Sequence, residues 1–405
     1  MMARTRKKSS PNRLTTALII FLVLLIIGPT YLVWLTSSRK GAFADYLVTH
    51  PEASAIVAYT VDAAGNAVED DSAIFHNADS PFVIASTVKL AVLAAYAEGV
   101  TTGRFNSAEE IPVAEWEQYY LPGTDGGAHA QGLKSVGLET DELGFAVDQT
   151  ATVPLDEIAR MMIHYSGNAA TDYLLARIGP AEMARIITET GLEQQTPIHL
   201  ILGPALAIFN HERPPADSDY LQAIITEVNQ GNTAQLDSLV DHYLHDAAWR
   251  TAQIAFMTTE NSAVTLPEEQ VWAYQVLASE LFPRGTARDY AGFMARVSQG
   301  KLLSEAASAI MQSHLETVPS DFPLRLLYFD PVGAKDGVTA GVLALASYAV
   351  PKRGDAAGQM RVVVILTNEL PLEVWSQQLQ VEGHYLLQTD LARASGTFDE
   401  LKTMD

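Results

Sequence analysis

The 405-residue chain is 48% hydrophobic and 18% charged, enough apolar material for one large packed domain or two smaller ones. It has no cysteine, which excludes disulfides, thiol catalysis and cysteine-based zinc sites. Its net charge of −22 is uneven: Arg4, Arg6, Lys7, Lys8 and Arg13 give the first 13 residues five positive charges and no acid, so the remainder carries 21 basic against 48 acidic side chains. Such a surface repels nucleic acid, and no basic patch lies outside the N-terminus, so no nucleic-acid partner is expected.

In chain order, the basic segment 1–13 is followed by ALIIFLVLLIIGPTYLVWL, Ala17 to Leu35, an uncharged run of about 20 residues. That length crosses a hydrocarbon layer of about 30 Å. The flanking charges place the N-terminus in the cytoplasm and the rest outside, with Tyr31 and Trp34 near the outer interface. A cleaved signal peptide ending at Ala42-Phe43-Ala44 is the competing reading. The apolar run exceeds the roughly 7–15 residues of a signal core, and Arg39 and Lys40 intervene, so an uncleaved anchor over 14–36 is favoured.

After a linker over 37–48, ASAIVAYTV (53–61) reads as a strand, Asp62–Gly65 as a turn and Ser72–His76 as a second, antiparallel strand. TVKLAVLAAYAEG (87–99) reads as a helix stopped by Gly99, and the Gly-rich stretch 121–150 as a long loop. Two helices follow, LDEIARMMIHY and AATDYLLARIG, separated by a break at Ser166-Gly167-Asn168. Residues 216–285 read as mostly helical, 287–300 as a further helix, and 342–350 and 360–368 as strands. Strands at both ends with helices between imply an α+β domain over 49–385, its sheet completed by the two chain ends, with 216–285 as a helical insertion and 386–405 as a tail.

Within FVIASTVKLAVLA (82–94), Ser86 and Lys89 interrupt an apolar run. Three residues apart at a helix start, they project on one face. A serine hydroxyl is a weak nucleophile until a neighbouring base takes its proton. Lysine can be that base when burial or nearby positive charge lowers its pKa. The pattern S-x-x-K alone is weak, since it recurs at Ser37–Lys40 and Ser298–Lys301. An N-capping Ser86 with Lys89 reaching to water is the plain structural alternative.

Ser166-Gly167-Asn168 and Lys335-Asp336-Gly337 complete an ordered set, S-x-x-K, S-x-N and K-x-G, each at an element junction. Over roughly residues 50–385 the chain resembles the class A β-lactamase and penicillin-binding group of serine acyltransferases. The resemblance implies a β-lactamase/transpeptidase-like fold: an antiparallel sheet flanked by helices, plus a helical subdomain, here behind one transmembrane helix. It implies Ser86 as nucleophile, Lys89 as base, Ser166 as proton relay and Lys335 as a positive charge near the leaving group. Asn168 would bind the substrate amide, Asp336 and Gly337 would line the substrate, and the N–H groups of Ser86 and Val338 would form an oxyanion hole. No cofactor or metal is required.

Three departures from that group bear on substrate and turnover. SGN lacks an aspartate, a small chemical change. KDG puts Asp336 where a hydroxyl is usual; it either points away or pairs with Lys335, and in both cases disfavours anionic substrates. The stretch QQTPIHLILGPALAIFNHERPP, where a deacylating glutamate belongs, has no carboxylate before Glu212. His199, His211 and Glu212 are the conceivable water activators.

The resulting expectation is an anchored, extracytoplasmic serine hydrolase acting on a small amide, β-lactam or ester with slow deacylation. The alternatives are a D-alanyl-D-alanine carboxypeptidase acting on peptidoglycan peptides and an inactive cell-wall or partner-binding domain. His242 and His245, one turn apart, read as a polar helix face rather than a zinc site. The loop 121–129 is a candidate cleft rim, and Tyr119 and Tyr120 a candidate stacking surface.

Overall fold

The computed structural model describes residues 37–260, 266–317 and 325–404. The expected anchor over 14–36 lies outside the described residues, among which no helix is long and apolar enough to cross a membrane. Among the described residues there are ten strands: β1 Ser54–Val61, β2 Ala67–Val68, β3 Ile74–His76, β4 Pro81–Val83, β5 Glu110–Pro112, β6 Thr152–Pro154, β7 Arg284–Thr286, β8 Phe329–Thr339, β9 Val342–Pro351 and β10 Arg361–Thr367. The main sheet runs β2-β1-β10-β9-β8, with β3 also on β1, and all its pairings are antiparallel. The two chain ends thus meet at the centre, with Ala58 opposite Val363.

Both faces of this sheet are covered, which explains why β9 and β10 are almost wholly apolar instead of alternating. Ala55, Val57 and Tyr59 point to a core shared with the helices Lys89–Thr101 and Ala287–Ser298, while Ile56 and Ala58 point to a second core on the opposite face. That second core is closed by Phe43 and Leu47 from the helix over 37–49 and by Leu387, Leu391, Phe398 and Leu401. The linker expected over 37–48 is therefore an integral helix, and the expected tail carries the packed helices Gly383–Arg393 and Phe398–Lys402. Without them the outward side chains of β1 and β10 would face water. Full burial contributes roughly 1.5–3 kcal/mol for each large apolar side chain.

The helix Lys89–Thr101 runs through the main core, buried on all sides from Lys89 to Ala97. Gly99 does not end it. A Cβ at Gly99 would sit 2.4 Å from the Phe105 ring, so this glycine admits the ring, and the left-handed Gly103 (φ 77°) marks the stop. The stretch 121–150 also departs from the loop expectation, because Ala128–Ser135 is helical. Asp125 makes this possible by accepting the Gly127 and His129 backbone N–H groups (3.0 and 2.8 Å) at the helix start.

Residues 202–260 and 266–281 build a helical lobe with its own core, centred on Leu206, Leu221, Tyr243 and Leu281. It starts earlier than the expected insertion, with the helix Leu202–Ile208. Trp272 of the lobe packs at a tilt against Trp375 (5.2 Å between ring centroids), whose indole N–H donates to Thr339 O at 2.9 Å. The lobe is thereby tied to the β8 end of the sheet.

Candidate active site

β4 pairs with β7, and the chain then turns sharply through the 3₁₀ turn Ala85–Val88 before the helix begins at Lys89. Ala85 lies in the left-handed region at φ 44°, a conformation costing about 1–3 kcal/mol for a residue with a Cβ. The Thr87 N–H, bonded to Ile84 O at 3.0 Å, closes the turn around it. This strained turn presents Ser86 on the first turn before the helix.

Lys89 is fully buried, and four oxygens surround its amine. Nζ donates to Ser166 O at 2.6 Å, Ser86 Oγ at 2.9 Å, Asn168 Oδ1 at 2.9 Å and Ser166 Oγ at 3.1 Å. An ammonium has only three protons to give. Ser166 O and Asn168 Oδ1 can only accept, whereas the two hydroxyls can also donate. The shell therefore accommodates a neutral amine, with two N–H groups given to the obligate acceptors and a lone pair facing a hydroxyl. Burial, with the positive charge of Lys335 adding to it, holds the Lys89 pKa well below 10.5.

Ser166 owes its position to the break between the helices Leu155–His164 and Asn168–Ile178. It is itself left-handed (φ 65°), which turns both its carbonyl and its hydroxyl toward Lys89. Four residues past Asn168, on the same helix, Asp172 is buried and accepts the Ile201 and Leu202 N–H groups, both at 2.7 Å. Burial raises its pKa to about 7, against the lowering effects of those two N–H groups and Lys89. This carboxylate pins the first helix of the lobe over the site.

Lys335, Asp336 and Gly337 lie within β8, not at a strand boundary as the sequence suggested. Lys335 is 2% exposed and donates to Asp336 O at 2.9 Å and Asp336 Oδ1 at 3.1 Å. Of the two orientations foreseen for Asp336, the pairing with Lys335 is the one adopted. Gly337 passes against the nucleophile turn: a Cβ there would sit 2.6 Å from Ser86 N and 2.8 Å from Ile84 O.

Between these elements is an open cleft. Ser86, Asn168 and Thr171 line one side, Ile198, His199, Ile201 and Pro204 the lobe side, and Val338 and Thr339 the sheet side. No Asp, Glu, Lys or Arg is among its lining residues. Thr124 from the expected rim does reach it. Tyr120 offers no stacking face, because it is buried and lies on His129 at 4.0 Å. Of the three suggested water activators only His199 lines the cavity; His211 bonds Gln253 (2.9 Å), and the Glu212 N–H bonds Asn210. His245 pairs with Asp241 at the surface. Asp172, Thr171 and Ala85 escaped the sequence reading; only Asp172 left a signal, its spacing of four from Asn168 on one helix face.

A family model described as the beta-lactamase enzyme family matches residues 52–326, which include Ser86, Lys89, Ser166 and Asn168 and stop short of Lys335. No curated protein matches. Among solved structures, a beta-lactamase from Sphaerobacter thermophilus is 17% identical, with 87% of this chain and 98% of that chain covered and a TM-score of 0.48. PBP-A is 15% identical, at 87% and 96% coverage and a TM-score of 0.47. A beta-lactamase from Chitinophaga pinensis is 10% identical, at 87% and 99% coverage and a TM-score of 0.47. With the match of the family model over two-thirds of its length, this chain belongs to the beta-lactamase enzyme family, the serine hydrolases related to class A beta-lactamases and penicillin-binding proteins.

Proposed function

We propose that the protein is a membrane-anchored, extracytoplasmic serine hydrolase that is acylated on Ser86 by an amide, β-lactam or ester and releases the acyl group slowly. The observation that carries this reading is the Lys89 shell, with the amine 2.9 Å from Ser86 Oγ and a pKa held down by burial. Neutral Lys89 takes the Ser86 proton as Oγ attacks the substrate carbonyl carbon. The N–H groups of Ser86 and Val338 stabilise the developing oxyanion. Ser166, within reach of Lys89 Nζ, passes the proton on to the leaving nitrogen or oxygen. Asn168 keeps its oxygen on Lys89 and turns its amide N–H groups to the substrate.

Two features favour a neutral substrate and slow turnover. Asp336 offsets the charge of Lys335, and the cavity lining holds no other cation to receive a carboxylate. It holds no carboxylate base either, and a general base is worth about 10²–10⁴ in rate. The basic N-terminus and the apolar run after it support anchoring.

The test is intact mass over time after mixing with a fluorescent penicillin and, separately, a neutral fluorophosphonate. A prompt fluorophosphonate adduct and a slow, persistent penicillin adduct are expected. Rapid loss of the penicillin adduct with release of hydrolysed product would contradict slow deacylation. No adduct from either probe on folded protein would remove the nucleophile assignment.

A further inference from the structure

The acyl-enzyme proposed above still needs a route to water, and the cavity contains one group able to provide it. We propose that His199 is the base that activates the hydrolytic water; this rests on the reading of Ser86 as the acylated nucleophile. His199 lies on the segment leading into the helix Leu202–Ile208 and lines the same cavity as Ser86. Its Nε2 is 3.1 Å from Leu281 O. A carbonyl only accepts, so Nε2 carries the ring proton, and in the neutral imidazole Nδ1 is the acceptor. The ring is thus oriented by a third group, the arrangement a base requires.

The surroundings keep that ring neutral and in place. Burial lowers its pKa from 6.5, partly opposed by the bond to Leu281 and by Asp237 on the neighbouring helix Ala234–His245. Asp172, on the site helix, spends both oxygens on the Ile201 and Leu202 N–H groups and so fixes the backbone two residues beyond His199. Glu280 and Arg284, flanking Leu281, pair with each other. Among the side chains lining the cavity, His199 is the one with a basic nitrogen, the remainder being apolar residues, Ser86, threonines and Asn168.

A water O–H bond breaks, its proton moves to His199 Nδ1, and the water oxygen bonds to the acyl carbon. Collapse of the tetrahedral adduct breaks the bond to Ser86 Oγ, which takes up the proton that His199 had accepted from the water. The carboxylic acid product leaves, and the free serine and neutral histidine are restored. A partly buried imidazole of lowered basicity is a modest base, in keeping with slow release.

The experiment is burst kinetics with 4-nitrophenyl acetate on the full protein, comparing wild type with His199→Ala and His199→Gln. The burst reports acylation and the steady state reports deacylation. Both variants are expected to keep the burst rate within about threefold and to lose roughly 10²-fold in the steady state. The wild-type steady-state rate is expected to fall about tenfold per pH unit below an inflection under about 6.5, and the variants to lack that inflection. Added imidazole is expected to restore turnover in His199→Ala. His199→Gln retains an N–H donor for the Leu281 carbonyl, so it keeps the test open if the alanine variant does not fold. An unchanged steady-state rate and pH profile in the variants would overturn the proposal. Wild-type turnover that persists unchanged in Ser86→Ala would instead overturn the Ser86 reading, and the proposal with it.

Discussion

Replacing Gly337 by alanine tests how closely the sheet must approach the nucleophile turn. The added Cβ would lie 2.6 Å from Ser86 N, 2.8 Å from Ile84 O and 2.9 Å from Thr87 N, against ordinary contacts that begin at 3.4 Å. All three obstructing atoms are backbone, so no side chain can swing aside. Strand β8 and the turn would have to part by about 0.5–0.8 Å, and overpacking of this kind costs typically 1–3 kcal/mol. The same displacement separates the Ser86 and Val338 N–H groups, which are proposed to hold one oxyanion. Misplacement near 1 Å can reduce a rate by about 10²-fold. Gly337→Ala is therefore expected to unfold at lower denaturant concentration by that stability difference. It is also expected to label with fluorophosphonate on the order of 10²-fold more slowly. A variant with wild-type stability and wild-type labelling would refute the packing argument.

Asp336→Asn should release Lys335 from its ion pair and speed acylation by an anionic penicillin roughly 10-fold, a Coulombic gain of about 1.4 kcal/mol; equal rates would show that the pair does not govern anion binding. Lys89→Arg cannot deprotonate and is expected to lose more than about 10²-fold in labelling. In wild type, labelling should slow as pH falls through the Lys89 pKa, and a flat profile would argue for another base. Asp172 binds its proton more tightly folded than unfolded, its pKa rising from 3.8 to about 7. Its charge thus disfavours the fold above pH 7, on the order of 4 kcal/mol, and this penalty fades as pH falls toward 4. Denaturant unfolding at pH 5 and pH 7 should show Asp172→Asn gaining on wild type at the higher pH, and a pH-independent difference would count against the burial argument.

Much of the site was legible because its chemistry is carried by side chains at fixed spacing. Ser86 and Lys89 meet through one helical turn, and Ser166 and Asn168 flank a helix break that the sequence marks with glycine. What escaped depends on three-dimensional approach. Asp172 resembles any helix-surface acid until the lobe helix places two N–H groups on it. Gly99 resembles a helix stop until the Phe105 ring is seen against it. The sequence places KDG at a junction ahead of a strand, whereas its alternation of buried Lys335 with half-exposed Asp336 belongs within an edge strand. The packing of the C-terminal helices is illegible for a similar reason, since their apolar residues find a partner only in the outward face of β1 and β10.

The central claim is that Ser86 attacks the substrate, and peptide mapping after brief fluorophosphonate treatment tests it most directly. The account predicts a single adduct on the peptide containing Ser86, absent from Ser86→Ala under the same conditions. An adduct on any other residue, or equal labelling of the Ser86→Ala protein, would contradict it.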